Sequence, residues 1–325
     1  MRPARAAGAV RRRPPCELNI RNRWCRSPRR RACRRRSPRP APGPWVISHR
    51  TNAGTMPENT LAGIRAAIAE RADMVELDVQ VTADGTLVLM HDRSLRRTTG
   101  DPRSVSELTA RELRALRVRP TPTFAAAEPV PTLAEAIAEL AGRCRLLLDL
   151  KAPGLERPLA ALLRSTGAVE WAALSSEHPA ELAAMREVMP ELPLGLSVGL
   201  TSICTYGFEG FAALATAAGA SAVGLQHQLL RPEAVATAHA RSLAIYAWTV
   251  DGPAEIDWAL STGVDAICTN FPPRVFEARG GRRARLRRHS CRRRQDARRW
   301  PGVCVAHVAA NGAPGMRAGD RRCAA

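Results

Sequence analysis

Residues 74–91, with the sequence MVELDVQVTADGTLVLMH, contain two runs of alternating apolar residues with a turn between them. The runs are Met74–Thr82 and Thr86–Met90, and Asp84-Gly85 lies between them. An Asp-Gly pair in this setting favours a two-residue β-hairpin loop. We therefore expect the second run to pair antiparallel with the first.

Between residues 44 and 278, other short β-type runs alternate with helical stretches, a pattern typical of a parallel sheet with helices outside it. The predicted strands besides the hairpin are Trp45–Ser48, Arg145–Leu150, Val169–Leu174, Leu194–Val198, Ala222–Leu225, Ala244–Trp248 and Ala266–Thr269. The predicted helices are Thr60–Arg71, Leu133–Ala141, Pro158–Ser165, Pro179–Met189, Phe208–Ala218, Pro232–Ala240 and Ala254–Ser261.

Eight parallel strands remain when the hairpin strand is set aside, which predicts a (β/α)8 TIM barrel with a β-hairpin insertion after strand 2. An open doubly wound sheet is the alternative, although no G-x-G-x-x-G motif follows the first strand.

Two of the predicted parallel strands carry charged residues, although strands buried on both faces are normally apolar throughout. Glu76 and Asp78 share one face of their strand, and Asp149 and Lys151 share one face at the end of theirs. Burying three carboxylates is costly without a compensating cation. Since barrel active sites form at the carboxyl ends of the strands, we expect the three carboxylates to hold Mg²⁺ or Ca²⁺. The alternative is that Lys151 simply pairs with Asp149 or Glu76.

Two histidines and an arginine are expected at the same end of the barrel. With a two-residue hairpin loop, Asp78 is opposite His91, and a slip of one residue would turn His91 to the other face. The first strand ends in His49-Arg50, which places both residues at the catalytic rim of a barrel. Imidazoles exchange protons near neutral pH and arginine fits phosphate oxygens, so the combination predicts metal-assisted cleavage of a phosphate ester.

The net charge of +19 over 325 residues is concentrated at the two ends of the chain. Residues 1–43 contain 15 Arg and one acid, residues 279–325 contain 14 Arg and two acids, and residues 44–278 have a net charge of −7. A basic surface spread over the folded domain 44–278 is thereby excluded. Low apolar content predicts two disordered tails. They are either anchors for nucleic acid or anionic lipid, or translated flanking sequence.

Nine cysteines include no C-x-x-C pair, so the sequence predicts neither a zinc site nor a disulfide framework. Cys144, Cys204 and Cys268 lie in or beside apolar runs, where we expect buried, reduced thiols and hence a reducing compartment, the cytoplasm. No apolar run approaches the ~20 residues that cross a bilayer, and the Arg-rich start lacks the apolar core of a signal peptide.

Several of these motifs closely resemble, in order and spacing, the signature of the glycerophosphodiester phosphodiesterase family. The motifs are His49-Arg50, Pro57-Glu58-Asn59-Thr60, Glu76-Leu77-Asp78-Val79, Asp84-Gly85, His91-Asp92, Leu148-Asp149-Leu150-Lys151, Ala247-Trp248-Thr249-Val250-Asp251 and Gly263-Val264-Asp265-Ala266-Ile267. The resemblance covers residues 45–275 and neither tail. It implies a TIM barrel of the phospholipase C-like phosphodiesterase type with a hairpin insertion, in agreement with the order of strands and helices.

The resemblance also implies a role for each candidate residue. His49 and His91 would act as the general acid and base, and Arg50 and Lys151 would bind the phosphate. Glu76, Asp78 and Asp149 would bind the metal. Glu58 would orient the site. A neighbouring substrate hydroxyl would attack phosphorus, and water would open the resulting cyclic phosphate while the histidines exchange roles. We expect Trp248 to pack either against the glycerol or head group of the substrate or in the core.

The chain departs from the family pattern at two positions. Thr51 stands where the family usually has Gly, and because a β-branched residue resists φ > 0 we expect a shifted backbone there. Asp149 is one methylene shorter than the usual Glu, which alters its reach to a metal. The roles of Ser175-Ser176-Glu177-His178 and Asn270 stay open, and His178 and His227 are either ligands or solvent-facing loop residues.

The leading functional hypothesis is an enzyme, a metal-dependent phosphodiesterase that converts glycerophosphodiesters into glycerol 3-phosphate and an alcohol. One alternative is a lysophospholipase D-like activity at the same site. The other is a nucleic-acid or membrane-surface binder with basic tails on an inactive barrel. In the leading hypothesis the partner is a small-molecule substrate, and no specific nucleic acid is expected.

Overall fold

The computed structural model describes residues 43–281, in which eight parallel strands close into a barrel. The strands of this region are β1 (Trp45–Ser48), β2 (Met74–Val81), β3 (Leu87–Leu89), β4 (Arg117–Val118), β5 (Glu128–Pro129), β6 (Arg145–Leu150), β7 (Ala172–Ser176), β8 (Leu194–Val198), β9 (Ala222–Gln226), β10 (Ala244–Trp248) and β11 (Ala266–Thr269). The barrel order is β1-β2-β6-β7-β8-β9-β10-β11, and β11 pairs with β1. The predicted TIM barrel is confirmed, and the open sheet is excluded.

Helices follow the barrel strands along the chain. They are α1 (Leu61–Ala69), α2 (Ala110–Ala115), α3 (Leu133–Leu140), α4 (Glu156–Thr166), α5 (Pro179–Val188), α6 (Leu200–Ala217), α7 (Pro232–Ala240), α8 (Pro253–Thr262) and a last helix, α9, over residues 272–281. Local sequence explains where several begin: the Thr60 side chain caps α1, and Thr132 with Glu135 forms a capping box at α3.

The period-two alternation of the strands divides the core into two clusters. In β2, Val75, Leu77 and Val79 pack against the helices. The opposite face begins with Met74, which belongs to a cluster inside the barrel. That interior cluster comprises Trp45, Ile47, Met74, Leu147, Ala173, Ala222, Ala244, Tyr246, Ala266 and Cys268. Because Met74 precedes the two carboxylates of β2, the apolar residues fill the amino end of the barrel and the polar ones lie at its carboxyl end.

The hairpin register differs by one residue from the predicted register. Val79 of β2 is opposite Leu89 of β3. The backbone N–H of Met90 donates to the carbonyl of Asp78 at 3.0 Å, so Met90, and not His91, follows in the ladder opposite Asp78. The expectation that strand pairing delivers His91 to the carboxylates was wrong.

The cause is a three-residue loop, residues 83–85, in place of the predicted two-residue loop. Thr82 closes this loop on both sides: its N–H donates to the Thr86 carbonyl at 3.0 Å, and its Oγ1 accepts from the Thr86 N–H at 3.0 Å. Gly85, with φ of 80°, occupies the left-handed position that three-residue hairpin loops require.

Residues 92–131 form an insertion between β3 and α3 that the sequence patterns did not predict. It contains a 3-10 helix at Val105–Glu107, helix α2 and the two-stranded sheet β4–β5. A separate apolar cluster joins the insertion to β3 and comprises Val88, Met90, Leu95, Val105, Leu108, Leu113, Val118 and Val130. Elements of two to six residues are too short to establish a period, so they escape pattern-based prediction.

Two predicted elements begin more than two residues away from their start in the structure. The predicted strand Val169–Leu174 is wrong in its first half, because a 3-10 helix covers Ala168–Glu170 before β7 begins. The predicted helix Phe208–Ala218 is too short at its amino end, since α6 begins at Leu200 and continues through a non-helical Gly207 with φ of 62°.

The predicted tails, residues 1–43 and 279–325, lie outside the described residues apart from Gly43 and residues 279–281. Residues 279–281 continue α9. Arg279 is buried, and its Nη1 is 3.8 Å from Asp73 Oδ2. Helix α9 therefore continues past residue 278.

The cysteines of the described region have free thiols. Cys268 is buried and Cys144 is half-buried, but Cys204 is exposed on the first part of α6, so the expected burial was wrong for that residue. Within residues 43–281, no helix combines the length and the apolar character that a membrane span needs.

Candidate active site

The carboxyl end of β1 continues into a short 3-10 helix that carries His49 and Arg50. Because Ser48 is in register with Thr269 of β11, the residues that follow each strand lie side by side. His49 Nδ1 is accordingly 2.8 Å from Asn270 Oδ1. Burial lowers the pKa of His49, and the positive charge of Arg50 lowers it further. A neutral imidazole at the rim can accept a proton.

Three successive residues after His49 have positive φ: Arg50 at 44°, Thr51 at 61° and Asn52 at 72°. Thr51 thus adopts the left-handed conformation that glycine adopts freely and that a β-branched residue resists. Its buried Oγ1 accepts a hydrogen bond from the Thr60 N–H at 3.2 Å. Gly63 leaves room for the Thr51 side chain, since a Cβ at position 63 would lie 2.3 Å from Thr51 Oγ1.

Glu76, Asp78 and Asp149 meet at the carboxyl ends of β2 and β6, whose register places Asp78 beside Asp149. One oxygen atom of each carboxylate lies within 4.8 Å of the others. Asn59 clamps Asp78, because its Nδ2 donates to Oδ2 at 2.7 Å and its Oδ1 accepts from the Asp78 N–H at 3.1 Å. Glu76 Oε2 accepts the backbone N–H of Arg50 at 2.7 Å. The shorter Asp149 therefore still joins the cluster.

Lys151 balances part of this negative charge. Its Nζ is 3.3 Å from Asp78 Oδ1 and contacts Asp149 Oδ2. Burial raises the pKa of Glu76 well above its usual value, and Asp78 and Asp149 raise it further. Burial alone would also raise the pKa of Asp78, but Lys151 and Arg50 outweigh it and lower that pKa. Lys151 does pair with Asp149, yet the crowded carboxylates retain the oxygen-rich character that suits a divalent cation.

His91 lies at one end of a chain of ionic hydrogen bonds. His91 Nδ1 is 2.6 Å from Asp92 Oδ1, and Arg97 Nε donates to Asp92 Oδ2 at 2.5 Å. These contacts, the Arg97 hydrogen bond foremost, lower the pKa of Asp92 to about 2. Arg97 also donates to both oxygens of Glu58 at 2.6 Å, and Glu58 Oε1 is 3.8 Å from Arg50 Nη1. Glu58 thereby connects the Arg50 side of the site with the His91 side.

Gln80 positions the backbone that carries His91. Its Nε2 lies 3.2 Å from the carbonyls of both Met90 and His91, and 2.6 Å from that of Asp92. This side chain points to the same face of β2 as the two carboxylates of that strand. The turn held by Gln80, rather than the ladder register, is what brings His91 beside the carboxylates.

One pocket of about 470 Å³, open to solvent, contains most of the predicted site residues. It is lined by His49, Arg50, Glu76, Asp78, His91, Leu147, Asp149, Lys151, Ser175, Glu177, Ser197, Tyr246, Trp248 and Cys268. Glu58, whose Oε1 is 3.8 Å from Arg50 Nη1, is not among the lining residues, and neither are His178 and His227. Trp248 both lines the pocket and packs against the interior cluster, so the two expectations for its side chain describe one position.

The model of the glycerophosphoryl diester phosphodiesterase family matches residues 49–274. The chain belongs to this family. It is 30% identical over 236 residues to a glycerophosphodiester phosphodiesterase from Caldanaerobacter subterraneus, which covers 70% of this chain and 94% of that protein. The predicted enzyme class, a phosphoric diester hydrolase, is thereby confirmed.

Solved structures of this family share the fold. A phosphodiesterase from Oleispira antarctica, solved with the product sn-glycerol-3-phosphate, has a TM-score of 0.63 and 25% identity, and the match covers 73% of this chain and 96% of that chain. A glycerophosphodiester phosphodiesterase from Agrobacterium tumefaciens has a TM-score of 0.62 and 25% identity, covering 71% and 98%. The family is metal-dependent, and the carboxylate cluster of this chain could hold the ion.

Several residues that the structure places at the site had no role predicted from the sequence: Asn59, Gln80, Arg97, Asp251 and Asn270. Gln80 had a usable signal, because it continues the period-two face that carries the carboxylates of β2. Asn59, Asp251 and Asn270 lie within or beside quoted motifs, but their partners are distant in the chain. Arg97 gave no local signal, since nothing in its surroundings distinguishes it from the neighbouring arginines.

Proposed function

We propose that the protein hydrolyses glycerophosphodiesters to glycerol 3-phosphate and an alcohol with the help of a divalent cation. The observation that carries the proposal is the convergence in one pocket of two histidines, an arginine, a lysine and three carboxylates. Family membership supports the reaction class, and the product complex of the Oleispira antarctica relative supports a glycerol phosphate as the part of the substrate that is retained.

The cation would be held by Glu76, Asp78 and Asp149, whose oxygen atoms are close enough to share one ion. Hard carboxylate oxygens suit Mg²⁺ or Ca²⁺. When bound, such an ion neutralises the phosphate oxygens and stabilises the charge that develops during displacement at phosphorus.

Arg50 and Lys151 bind the phosphate in this proposal. Both side chains line the pocket, and Arg50 Nε makes no hydrogen bond to the described part of the chain. Arg50 Nε is 3.5 Å from Asp78 Oδ2, so the guanidinium lies beside the proposed metal ligands, where its other N–H groups could bind a phosphate oxygen. Trp248 offers its ring to the glycerol or the head group at the mouth.

His49 and His91 move the protons. His49, next to a neutral amide, accepts the proton of the substrate hydroxyl as its oxygen bonds to phosphorus, and His91, paired with the carboxylate of Asp92, donates a proton to the departing alcohol oxygen. The cyclic phosphate is then opened by water, with His91 accepting the proton of water and His49 returning its proton to the glycerol oxygen. Both histidines end the cycle in their starting states.

The test is a substrate panel assayed with the full chain, with and without a chelator. Glycerophosphocholine, glycerophosphoethanolamine and glycerophosphoglycerol should release glycerol 3-phosphate only with Mg²⁺ or Ca²⁺ present. Asp78→Asn should require much more cation for half-maximal rate, whereas Asp257→Asn, an exposed position on α8, should not. Full activity after chelation would show that the reaction needs no metal. If none of the substrates released glycerol 3-phosphate, the proposed function would be wrong.

A second candidate function, cleavage of lysophospholipids, is favoured by an exposed apolar segment at the rim. Leu200 and Tyr206 are 47% and 55% exposed on the first part of α6, directly after β8. Residues 199–208 contain no charged side chain. The Leu200 N–H donates to Gln226 Oε1 at 3.1 Å, which anchors the segment at the carboxyl end of β9.

This candidate predicts that lysophosphatidylcholine is turned over at a rate comparable to glycerophosphocholine. Replacing Leu200 and Tyr206 by Ser should then raise KM for the lysophospholipid alone. Trp258→Gln, which alters an exposed apolar side chain on α8, is the matched control. Equal effects of the Ser variant on both substrates would argue against a role for the segment in binding an acyl chain.

A further inference from the structure

His49 is the first member of a hydrogen-bond chain that ends at Asp251. Asn270 Nδ2 donates to Asp251 Oδ2 at 2.6 Å, and the Asn270 N–H donates to Asp251 Oδ1 at 2.8 Å. Thr269 Oγ1 donates to the same Oδ1 at 2.9 Å. A carboxylate only accepts hydrogen bonds, so Asn270 must turn its NH2 group toward Asp251 and its Oδ1 toward His49.

The orientation of this amide determines which nitrogen of His49 carries the proton. An amide oxygen only accepts, so Nδ1 of His49, 2.8 Å away, must be the donor. In a neutral imidazole the other nitrogen, Nε2, then holds the lone pair. We propose that Asp251 and Asn270 are positioning residues that hold His49 in its Nδ1-protonated tautomer, with Nε2 as the proton acceptor for substrate.

The amide between the carboxylate and the imidazole has an electrostatic consequence. The charged groups that face His49 are Arg50, Asp78 and Asp251. Asn270 accepts a hydrogen bond from His49 as a carboxylate would, but it adds no negative charge beside the ring. His91, by contrast, has the carboxylate of Asp92 as its direct partner. The arrangement therefore keeps His49 a neutral base. The inference rests on the proposed phosphodiesterase function in one respect only, namely that the proton accepted by His49 comes from the substrate.

The first test reads the tautomer directly in the full chain. Nitrogen-15 NMR of histidine-labelled protein distinguishes protonated from unprotonated ring nitrogens, and the His49 signals are those lost in His49→Gln. We expect Nδ1 to be protonated and Nε2 unprotonated at neutral pH. The opposite tautomer would overturn the proposal whatever the activity of the enzyme, and an inactive wild type with the expected tautomer would overturn the proposed function alone.

The second test is a pair of variants. Asp251→Asn frees the amide of Asn270 to rotate, so we expect a loss of the Nδ1-protonated signal and a fall in kcat of about 10- to 100-fold with little change in KM. The double variant Asp251→Asn with Asn270→Asp exchanges amide and carboxylate and can keep every hydrogen bond, with the donor between these two positions now at position 251 and an acceptor still facing His49. Here the tautomer and much of kcat should return, and the acid limb of the pH profile should move to higher pH, because a carboxylate now faces the imidazole directly.

Several outcomes would contradict the assignment. Unchanged kcat and tautomer in Asp251→Asn would show that Asp251 does not orient Asn270. If kcat of the double variant is as low as that of the single variant, Asp251 and Asn270 have only a structural role. The same conclusion follows if kcat is rescued but the acid limb of the pH profile does not shift. Asp257→Asn controls for a change of charge alone, and thermal melts identify variants that fail to fold, in which case the wild-type tautomer decides.

Discussion

His49 and His91 are chemically identical side chains with different hydrogen-bond partners. The Nδ1 of His49 faces the amide oxygen of Asn270 at 2.8 Å, and that of His91 faces the carboxylate of Asp92 at 2.6 Å. The first imidazole therefore faces a neutral amide, whereas the second faces a negatively charged carboxylate. At the scale of single residues, this difference between neighbours is what supports the proposed division of base and acid roles.

Removal of either imidazole tests this division. His49→Ala and His91→Ala should each lower kcat by about 10²- to 10⁴-fold, the usual contribution of a general acid or base, while the melting temperature changes little. His178→Ala is the matched control, since His178 is exposed and its side chain makes no capping hydrogen bond to α5. A variant at His49 or His91 with a rate within a few-fold of wild type would exclude that residue from the mechanism.

The pH dependence of the reaction should show the buried state of His49. Because burial lowers its pKa from the ordinary value of 6.5, His49 stays deprotonated to lower pH than a solvent-exposed histidine. The general base must be deprotonated, so the acid limb of kcat/KM should lie below pH 6.5. A profile measured from pH 4 to 9, using substrates that do not titrate there, checks the position of this limb; a midpoint above the ordinary value would contradict it.

Among the structural elements, the β2–β3 hairpin contributes most to the site. Strand β2 supplies two carboxylates and Gln80 from one face, and Gln80 then holds the turn that carries His91. A single strand face therefore positions two of the three proposed metal ligands and the second histidine. Strand β3 ends early, at Leu89, and Gln80 supplies donors to the turn that follows it.

Gln80→Leu should separate these two contributions. The substitution removes the only side-chain donor that the described structure gives to the carbonyls of residues 90–92, so we expect kcat to fall by about 10-fold or more as His91 moves. The concentration of Mg²⁺ that gives half-maximal activity should stay the same, because the carboxylates of β2 and β6 are held by other partners. Gln228→Leu, at an exposed position, controls for the added apolar group. A large change in metal requirement with unchanged kcat would be the opposite of this expectation.

The contact between helix α1 and the loop after β1 is a second element-scale feature. Gly63 lies against Thr51, and a Cβ on Gly63 would be 2.1 Å from the Thr51 carbonyl oxygen and 2.3 Å from Oγ1. Gly63→Ala should therefore destabilise the protein by about 1–3 kcal/mol, the usual cost of overpacking, and displace Arg50. Gly280→Ala in α9, where a Cβ meets nothing within 4 Å, is the control and should be neutral or slightly stabilising. Equal chemical-denaturation midpoints for the two variants would show that the loop yields without cost.

At the scale of the whole molecule, the positive net charge of the chain lies outside the sequence that forms the barrel. Residues 44–278 have a net charge of −7, and the Arg-rich ends account for the positive excess. A fragment of residues 43–281 should therefore keep the melting temperature and the kcat/KM of the full chain. If the ends bind nucleic acid or anionic lipid, the full chain alone should show binding that weakens steeply with salt. Loss of phosphodiesterase activity in the fragment would show that the ends belong to the catalytic protein.

The sequence by itself determined the barrel and most of the residues in its pocket. Strand alternation, read at period two, placed Glu76, Asp78 and Asp149 inside the barrel, because side-chain direction in a strand is a local property. Eight parallel strands with intervening helices specified the closed sheet, whose geometry brings the carboxyl ends of all strands together. His49, at the end of the first strand, followed from the same argument.

Only the tertiary structure decided how His91 reaches the pocket and what holds each histidine. The predicted hairpin register failed because one additional loop residue, closed by Thr82, shifts every pair, and a loop length depends on side-chain hydrogen bonds that no periodicity records. The contact of His49 with Asn270 spans 221 positions of the chain, and it exists because β1 and β11 close the barrel. Local patterns specify which face a residue occupies, whereas closure of the sheet specifies which distant residue lies beside it.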